Sequence, residues 1–176
     1  MKEIYYRKLN LDECEKIKEM NPTQYIGKAW REVVGVRQLV NIDYLDEDWP
    51  NGYDYHINHL KDTIINNGAS IGAFEDDKLI GFFTVNSQIF GEKYKYVLLD
   101  QLFIDLNYRN KGIGKKLFNY SMDEAKKLGA EKLYICAGSA EETIAFYFSR
   151  GCIEAVEINK ELYELDKRDF QLEKVL

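Results

Sequence analysis

With 176 residues, 45% of them hydrophobic and 31% charged, the chain has the composition of one globular domain, long enough for a sizeable core and too short to favour two. Its net charge of −6 argues against a nucleic-acid partner and mildly favours a cationic one. No run nears the roughly 18 apolar residues of a membrane span, and Met1–Arg7 lacks the apolar centre of a signal peptide, so the expected location is cytoplasmic.

Ile4–Leu9 reads as a strand and Leu11–Met20 as a helix with Asp12 and Glu13 in its first turn, where they favour the dipole. Trp30–Val34 and Arg37–Tyr44 read as a hairpin turning near Gly35, and Tyr53–Asn67 as a helix with Ile57, Leu60 and Ile64 on one face and Gly68 past its end. Ser70–Glu75 and Leu79–Ser87 form a second hairpin around Asp76 and Asp77. Val97–Ile104 is nearly continuous apolar, as a strand buried on both faces requires. Ile113–Leu128 is an amphipathic helix ended by Gly129, with Lys126 and Lys127 on its solvated face.

Lys132–Cys136 is a further strand and Ser139–Arg150 a further helix, closed by Gly151, with Ser139 and Glu142 spaced for a capping box. Ile153–Ile158 and Leu162–Leu165 read as closing strands. Alternating strands and helices after residue 97 imply a parallel pair within a mixed sheet. No repeat, low-complexity tract or linker interrupts residues 1–176, which read as one domain.

Cys14, Cys136 and Cys152 are odd in number and far apart, which indicates neither a disulfide framework nor a zinc site, and Cys136 and Cys152 read as small core residues. His56 and His59 form a lone H-x-x-H with no third ligand nearby, so no metal is expected.

The chemistry concentrates in Ile104–Lys116, between a buried strand and an amphipathic helix. A strand-to-helix turn exposes unpaired amides at the positive end of a helix dipole, which suits a phosphate. Gly112 and Gly114 allow close approach of the backbone, and Arg109, Lys111, Lys115 and Lys116 add positive charge to an acidic chain. A Walker A loop is excluded because Arg109 stands where its first glycine belongs and Lys116 where Ser or Thr is needed. The dinucleotide fingerprint fails at Leu117.

Val97–Cys152 resembles the core of the GNAT superfamily of N-acetyltransferases. Arg109, Gly112 and Gly114 match its Arg-x-x-Gly-x-Gly turn after the strand Leu102–Asp105, and Ala145-Phe146-Tyr147 before Gly151 resembles its second motif. Leu106 stands where a proline is common, and Ala140 where many members have an asparagine that touches the pantetheine arm.

The resemblance implies a mixed, mostly antiparallel α/β sheet of about six or seven strands flanked by about four helices. It implies direct acetyl transfer from acetyl-CoA to a primary amine of a small molecule or protein in a ternary complex, with a small-molecule or peptide amine as the partner. The coenzyme A pyrophosphate would lie on Asn110, Lys111, Gly112, Ile113, Gly114 and Lys115 beside Arg109. Pantetheine would run along the open edge of the strand at Leu102, Phe103 and Ile104, with an amide near Phe103 or Ile104 as oxyanion donor.

Tyr147 matches the tyrosine that protonates the leaving thiolate, and Asp100, an isolated carboxylate in a buried strand, is the candidate base. Tyr25, Trp30, Tyr44, Trp49, Tyr53 and Tyr55, among Asp43, Asp46, Glu47 and Asp48, could wall a pocket for a cationic acceptor. A homodimer is left open, and a non-catalytic acyl-CoA sensor on the same fold is the alternative function.

Overall fold

The computed structural model describes residues 2–176. In chain order the strands are β1 (Ile4–Lys8), β2 (Gln24–Val33), β3 (Val36–Asp46), β4 (Ala69–Glu75), β5 (Lys78–Val85), β6 (Tyr96–Ile104), β7 (Lys132–Ala137), β8 (Ile153–Glu154) and β9 (Phe170–Val175). The α-helices are α1 (Tyr53–Ile65), α2 (Ile113–Lys127), α3 (Glu141–Ser149) and α4 (Lys160–Leu165), and Leu11–Glu19 and Leu106–Tyr108 are 3-10 helices.

Seven strands form one sheet in the order β1-β4-β5-β6-β7-β9-β8, and β2 and β3 form a separate two-stranded sheet. Among the described residues only β6 and β7 pair in parallel, so the architecture is the expected mixed, mostly antiparallel α/β sheet. β4 and β5 are buried on both faces, because helices cover each side. On one side Ile113, Leu117, Ser121 and Ala125 recur every fourth residue and lay α2 onto the sheet. On the other, Ile57 and Leu60 of α1 join Cys14, Ile17, Trp49 and Phe82 in a second core.

The feature that positions the site is the divergence of β6 and β7. Their pairing covers only Tyr96–Leu98 against Lys132–Tyr134, while β6 runs on to Ile104. The start of β7 is pinned by a buried cluster, in which Glu173 of β9 accepts from Lys132 Nζ and the Tyr96 hydroxyl, both at 2.6 Å. Beyond Leu98 the flank of β6 is open. The strand is therefore interior to the sheet, and its free edge is confined to Leu99–Ile104.

The chain terminus departs from expectation. Leu162–Leu165 is helical, within α4, whose first turn is capped by the Asn159 side chain accepting from the Leu162 amide at 3.0 Å. The expected Ile153–Ile158 strand shrinks to β8. The strand that closes the sheet is β9, which inserts between β7 and β8. The hairpin of β2 and β3 turns at Val34 and Gly35, both with positive φ, as expected of a two-residue turn, but extends beyond the expected limits to Gln24 and Asp46.

Candidate active site

The Ile104–Lys116 segment leaves the end of β6, makes one 3-10 turn and enters α2. Asn110 and Gly112 take left-handed φ values of 61° and 80°, which turns successive amides to one side. Among the described residues, the amides of Asn110 to Lys115 have no acceptor in the protein, and the first closing bond runs from Lys116 to the Gly112 carbonyl. Lys111 and Lys115 are exposed at the rim. Such a row of free donors at a helix N-terminus is an anion cradle.

The two glycines serve differently. Gly112 is required by its positive φ, while a Cβ there would meet nothing within 4 Å. At Gly114 a Cβ would stand 3.5 Å from Phe146 and 3.6 Å from Ile104, ordinary contacts at an ordinary φ. Packing does not demand that glycine. It keeps open a space beside the cradle.

Arg109 does not point into that cradle. Its Nε donates to the Ile104 carbonyl at 3.1 Å, Nη1 to Thr23 at 2.8 Å and Nη2 to Pro22 at 3.2 Å, and burial holds its pKa below the usual value. Buried Asp105 joins in, accepting from the amides of Asn21 and Asn107. Arg109 and Asp105 thus fasten the turn to residues 21–23, with the three guanidinium nitrogens of Arg109 committed to backbone carbonyls.

Along β6 the backbone alternates. The Asp105 amide donates to Ile80 on β5 at 2.9 Å, so two residues earlier Phe103 exchanges its bonds with Phe82. Leu102 and Ile104 then aim their backbone groups at the flank that β7 has left. Phe103 is turned away, its ring packed at 5.0 Å from Trp49 and 4.9 Å from His56. An oxyanion donor in this stretch falls to Leu102 or Ile104.

A bulge interrupts the same strand, because Thr84 pairs with Gln101 and Val85 with Leu99, leaving Asp100 without a partner. Two neighbouring side chains therefore reach α1. Asp100 Oδ2 lies 2.8 Å from His59 Nδ1, and Gln101 Oε1 2.8 Å from His56 Nδ1. His56 Nε2 also faces the Pro50 carbonyl at 2.6 Å, while Gln101 Nε2 and Thr84 Oγ1 lack partners. Turning the Gln101 amide end for end lets Nε2 donate to His56 Nδ1 while His56 Nε2–H donates to the Pro50 carbonyl. Both ring nitrogens of His56 are then engaged within the core.

His59, by contrast, opens on a cavity of about 460 Å³ that it shares with Asp62, Thr63, Asn66, Asn86, Ser87, Gln88 and Asp100. Its ring stacks on Tyr55 with centroids 3.9 Å apart. The lining is polar and carries two carboxylates. The sequence signal for His59 was the H-x-x-H on an amphipathic helix, which weighed only as a metal pair discloses nothing. No group of three or more His, Cys, Asp or Glu is placed to hold a metal among the described residues.

Tyr147 lies on α3, 8% exposed, between Phe118 and Phe146. Burial raises its pKa, with nearby Cys152 and Cys136 adding to the effect, so the phenol keeps its proton at neutral pH. Its hydroxyl makes no hydrogen bond to the described residues. Cys136, half-buried in β7, has its thiol pushed up to about 12 by burial and by Asp169, with Asp100 a further contributor.

The expected capping box at Ser139 does not form. Ala140 is the N-cap and lacks a capping side chain. The Ser139 hydroxyl instead accepts from Arg31 Nη1 at 2.7 Å, its carbonyl from the Trp30 amide at 2.8 Å, and Ala140 bridges to Ala29. The hairpin occupies the backbone at this point.

Nor does the acidic aromatic segment wall the cavity as a unit. Trp49 is buried against Phe82, Trp30 packs at 6.0 Å from Phe170, and Tyr25 bonds Asp43 on the hairpin. Only Tyr55 reaches the cavity region, through its stacking on His59. The carboxylates at the cavity are Asp62 and Asp100 rather than Asp43, Asp46, Glu47 or Asp48.

The acetyltransferase (GNAT) family model matches residues 24–152. No curated protein sequence matches significantly. Among solved structures, a nourseothricin acetyltransferase is 15% identical with a TM-score of 0.74, the match covering 98% of each chain. PaiA N-acetyltransferase from Thermoplasma acidophilum, in complex with coenzyme A, is 20% identical over 99% of each chain with a TM-score of 0.61. Arabidopsis thaliana Naa50, in complex with a bisubstrate analogue, is 17% identical over 98% of this chain and 99% of its own, with a TM-score of 0.60. At these identities the likeness is one of fold.

Proposed function

Because the chain belongs to the acetyltransferase (GNAT) family, we propose that it transfers an acetyl group from acetyl-CoA to a primary amine of a small molecule or peptide, by direct attack in a ternary complex and as one cytoplasmic domain. The observation that carries this reading is the row of unpartnered amides from Asn110 to Lys115 at the start of α2, beside the flank of β6 that β7 leaves open.

These residues fit coenzyme A. The amides of Asn110 to Lys115 would hold its pyrophosphate, and the space kept by Gly114 admits a close approach. The backbone groups of Leu102 and the amide of Ile104, which β5 does not use, would hold the pantetheine amides in the manner of an added strand, the Ile104 carbonyl being taken by Arg109. When bound, acetyl-CoA supplies a thioester carbonyl as the electrophile.

The chain's own groups then do the rest. An outward amide at Leu102 or Ile104 stabilises charge developing on the carbonyl oxygen. The cavity receives the amine, and its carboxylates Asp62 and Asp100 favour the ammonium form that an alkylamine of pKa about 10 adopts in water. Proton removal is needed before attack, at the Asp100 side of the cavity. Tyr147, which retains its phenolic proton, donates to the leaving sulfur.

Calorimetric titration with coenzyme A tests the cradle. Stoichiometric binding that weakens in Gly114→Ala is the expected result; undetectable binding to the folded wild type would remove the basis of this reading.

A further inference from the structure

We propose that His59, rather than Asp100, takes the proton from the incoming ammonium, with Asp100 as the positioning residue that holds its ring. This inference rests on the acetyl-transfer reading and assigns a residue that the reading leaves open.

The bulge at Asp100 is the origin of the arrangement. It turns Asp100 toward α1, where its Oδ2 lies 2.8 Å from His59 Nδ1. An ionised carboxylate can only accept, so Nδ1 carries a proton and the lone pair of the neutral ring sits on Nε2. Among the described residues, Nε2 has no hydrogen-bond partner. The stacked Tyr55 ring, 3.9 Å away between centroids, fixes the plane of the imidazole.

Exposure ranks the two groups. The His59 side chain is 35% accessible and that of Asp100 16%, and both line the same cavity. A substrate entering that cavity meets the imidazole edge, and the carboxylate lies behind it. One oxygen of Asp100 is already committed to the ring. The order of carboxylate, imidazole and reacting group is the base-and-orienter relation of catalytic triads, here assembled from β6 and α1.

The step balances without a further reactant. One N–H bond of the ammonium breaks, its electron pair remains on nitrogen, and a new N–H bond forms at His59 Nε2. The resulting imidazolium is paired with the Asp100 carboxylate, so the dyad passes from net negative to neutral in a region that also holds Asp62. The free amine attacks the thioester carbon and the carbon–sulfur bond breaks; the second proton released by the amine nitrogen makes good the one that Tyr147 gives to the leaving thiolate, and solvent at the cavity mouth later removes the proton from Nε2.

The cavity also selects its amine. Thr63 and Asn86 bond each other at 3.1 Å, and with Asn66 and Asp62 they offer oxygen acceptors and amide donors around the imidazole. This lining suits a small cationic amine bearing hydroxyl groups more than an apolar one.

The test is steady-state kinetics on His59→Ala, His59→Gln and Asp100→Asn, with an amine that the wild type acetylates, together with acetyl-CoA affinity by calorimetry. His59→Ala should lose roughly 10²- to 10⁴-fold in kcat with acetyl-CoA affinity retained, and added imidazole should restore part of the rate. His59→Gln keeps a donor toward Asp100 and the fold, and should be equally slow. Asp100→Asn should lose less, and combining it with His59→Ala should add little. Wild-type rates in both His59 variants, with Asp100→Asn inactive, would overturn this assignment and leave the acetyl-transfer reading intact. Absence of turnover in the wild type would instead overturn the reading on which it rests.

Discussion

The guanidinium of Arg109 donates to the carbonyl of Thr23 across 2.8 Å, so the arginine of the Arg-x-x-Gly-x-Gly turn is an internal tie to the loop before β2. With Pro22 and Ile104 it satisfies three carbonyls that no other group serves. Arg109→Lys keeps the charge but cannot span them, and should lower stability without ligand by about 1–3 kcal/mol, the cost of orphaned polar groups. Urea unfolding of the apo protein measures it. Unchanged stability with weakened coenzyme A binding would return Arg109 to the phosphate.

Gly112 and Gly114 should separate in experiment. Gly112→Ala forces a side chain onto a φ of 80° and should destabilise the apo protein by about 1–2 kcal/mol. Gly114→Ala meets only ordinary contacts and gains helix propensity, so its stability should be unchanged or up to about 1 kcal/mol higher. Its coenzyme A affinity should nevertheless fall about tenfold, equivalent to about 1.4 kcal/mol. Calorimetry and thermal melts on the same two proteins decide it. Retained affinity in Gly114→Ala would mean that the cradle lies elsewhere.

How much of this was legible in the sequence depends on whether the cause was local. The turn was, because Gly112 stands where the backbone must be left-handed and the apolar residues of α2 recur every fourth position. Strand β9 was not. Its Gln171 and Glu173 are buried only because Tyr134, Tyr96 and Lys132 of neighbouring strands receive them, so its pattern looks too polar for a core strand. The bulge at Asp100 has no local mark either: its effect appears in His59, a partner 41 positions away. Leu162 and Leu165 suit a strand end equally well until Asn159 caps the turn that holds them.

Asp169 sets a pH dependence of stability. Burial first, then Asp166, raises its carboxyl from the ordinary 3.8 to about 6. The folded state therefore binds this proton more tightly than the unfolded chain does. Its contribution to stability is present below pH 4, is lost as pH rises from about 4 to 6, and is absent above. Asp169→Asn should flatten that part of the curve and make the protein more stable than wild type at pH 7. Urea midpoints measured across this range would contradict the account if the two proteins differed by a constant amount.

Tyr147→Phe should leave the fold unchanged, since the ring stays packed between Phe118 and Phe146 and the hydroxyl gives up no hydrogen bond to the described residues. Acetyl-CoA affinity should be retained while kcat falls by roughly 10²-fold, as for an interaction made mainly in the transition state. Stopped-flow measurement of a single turnover isolates the chemical step. A variant as fast as wild type would hand the leaving group's proton to water.

The initial rate of thiol release from acetyl-CoA, measured against a panel of polyamines, aminoglycosides, amino acids and peptides, separates acetyl transfer from binding alone. Amine-dependent release is expected, with an N-acetylated product confirmed by mass spectrometry and the highest rates for cationic, hydroxyl-bearing amines. Tight coenzyme A binding with no amine-dependent thiol release from any member of the panel would contradict it and identify the protein as an acyl-CoA sensor.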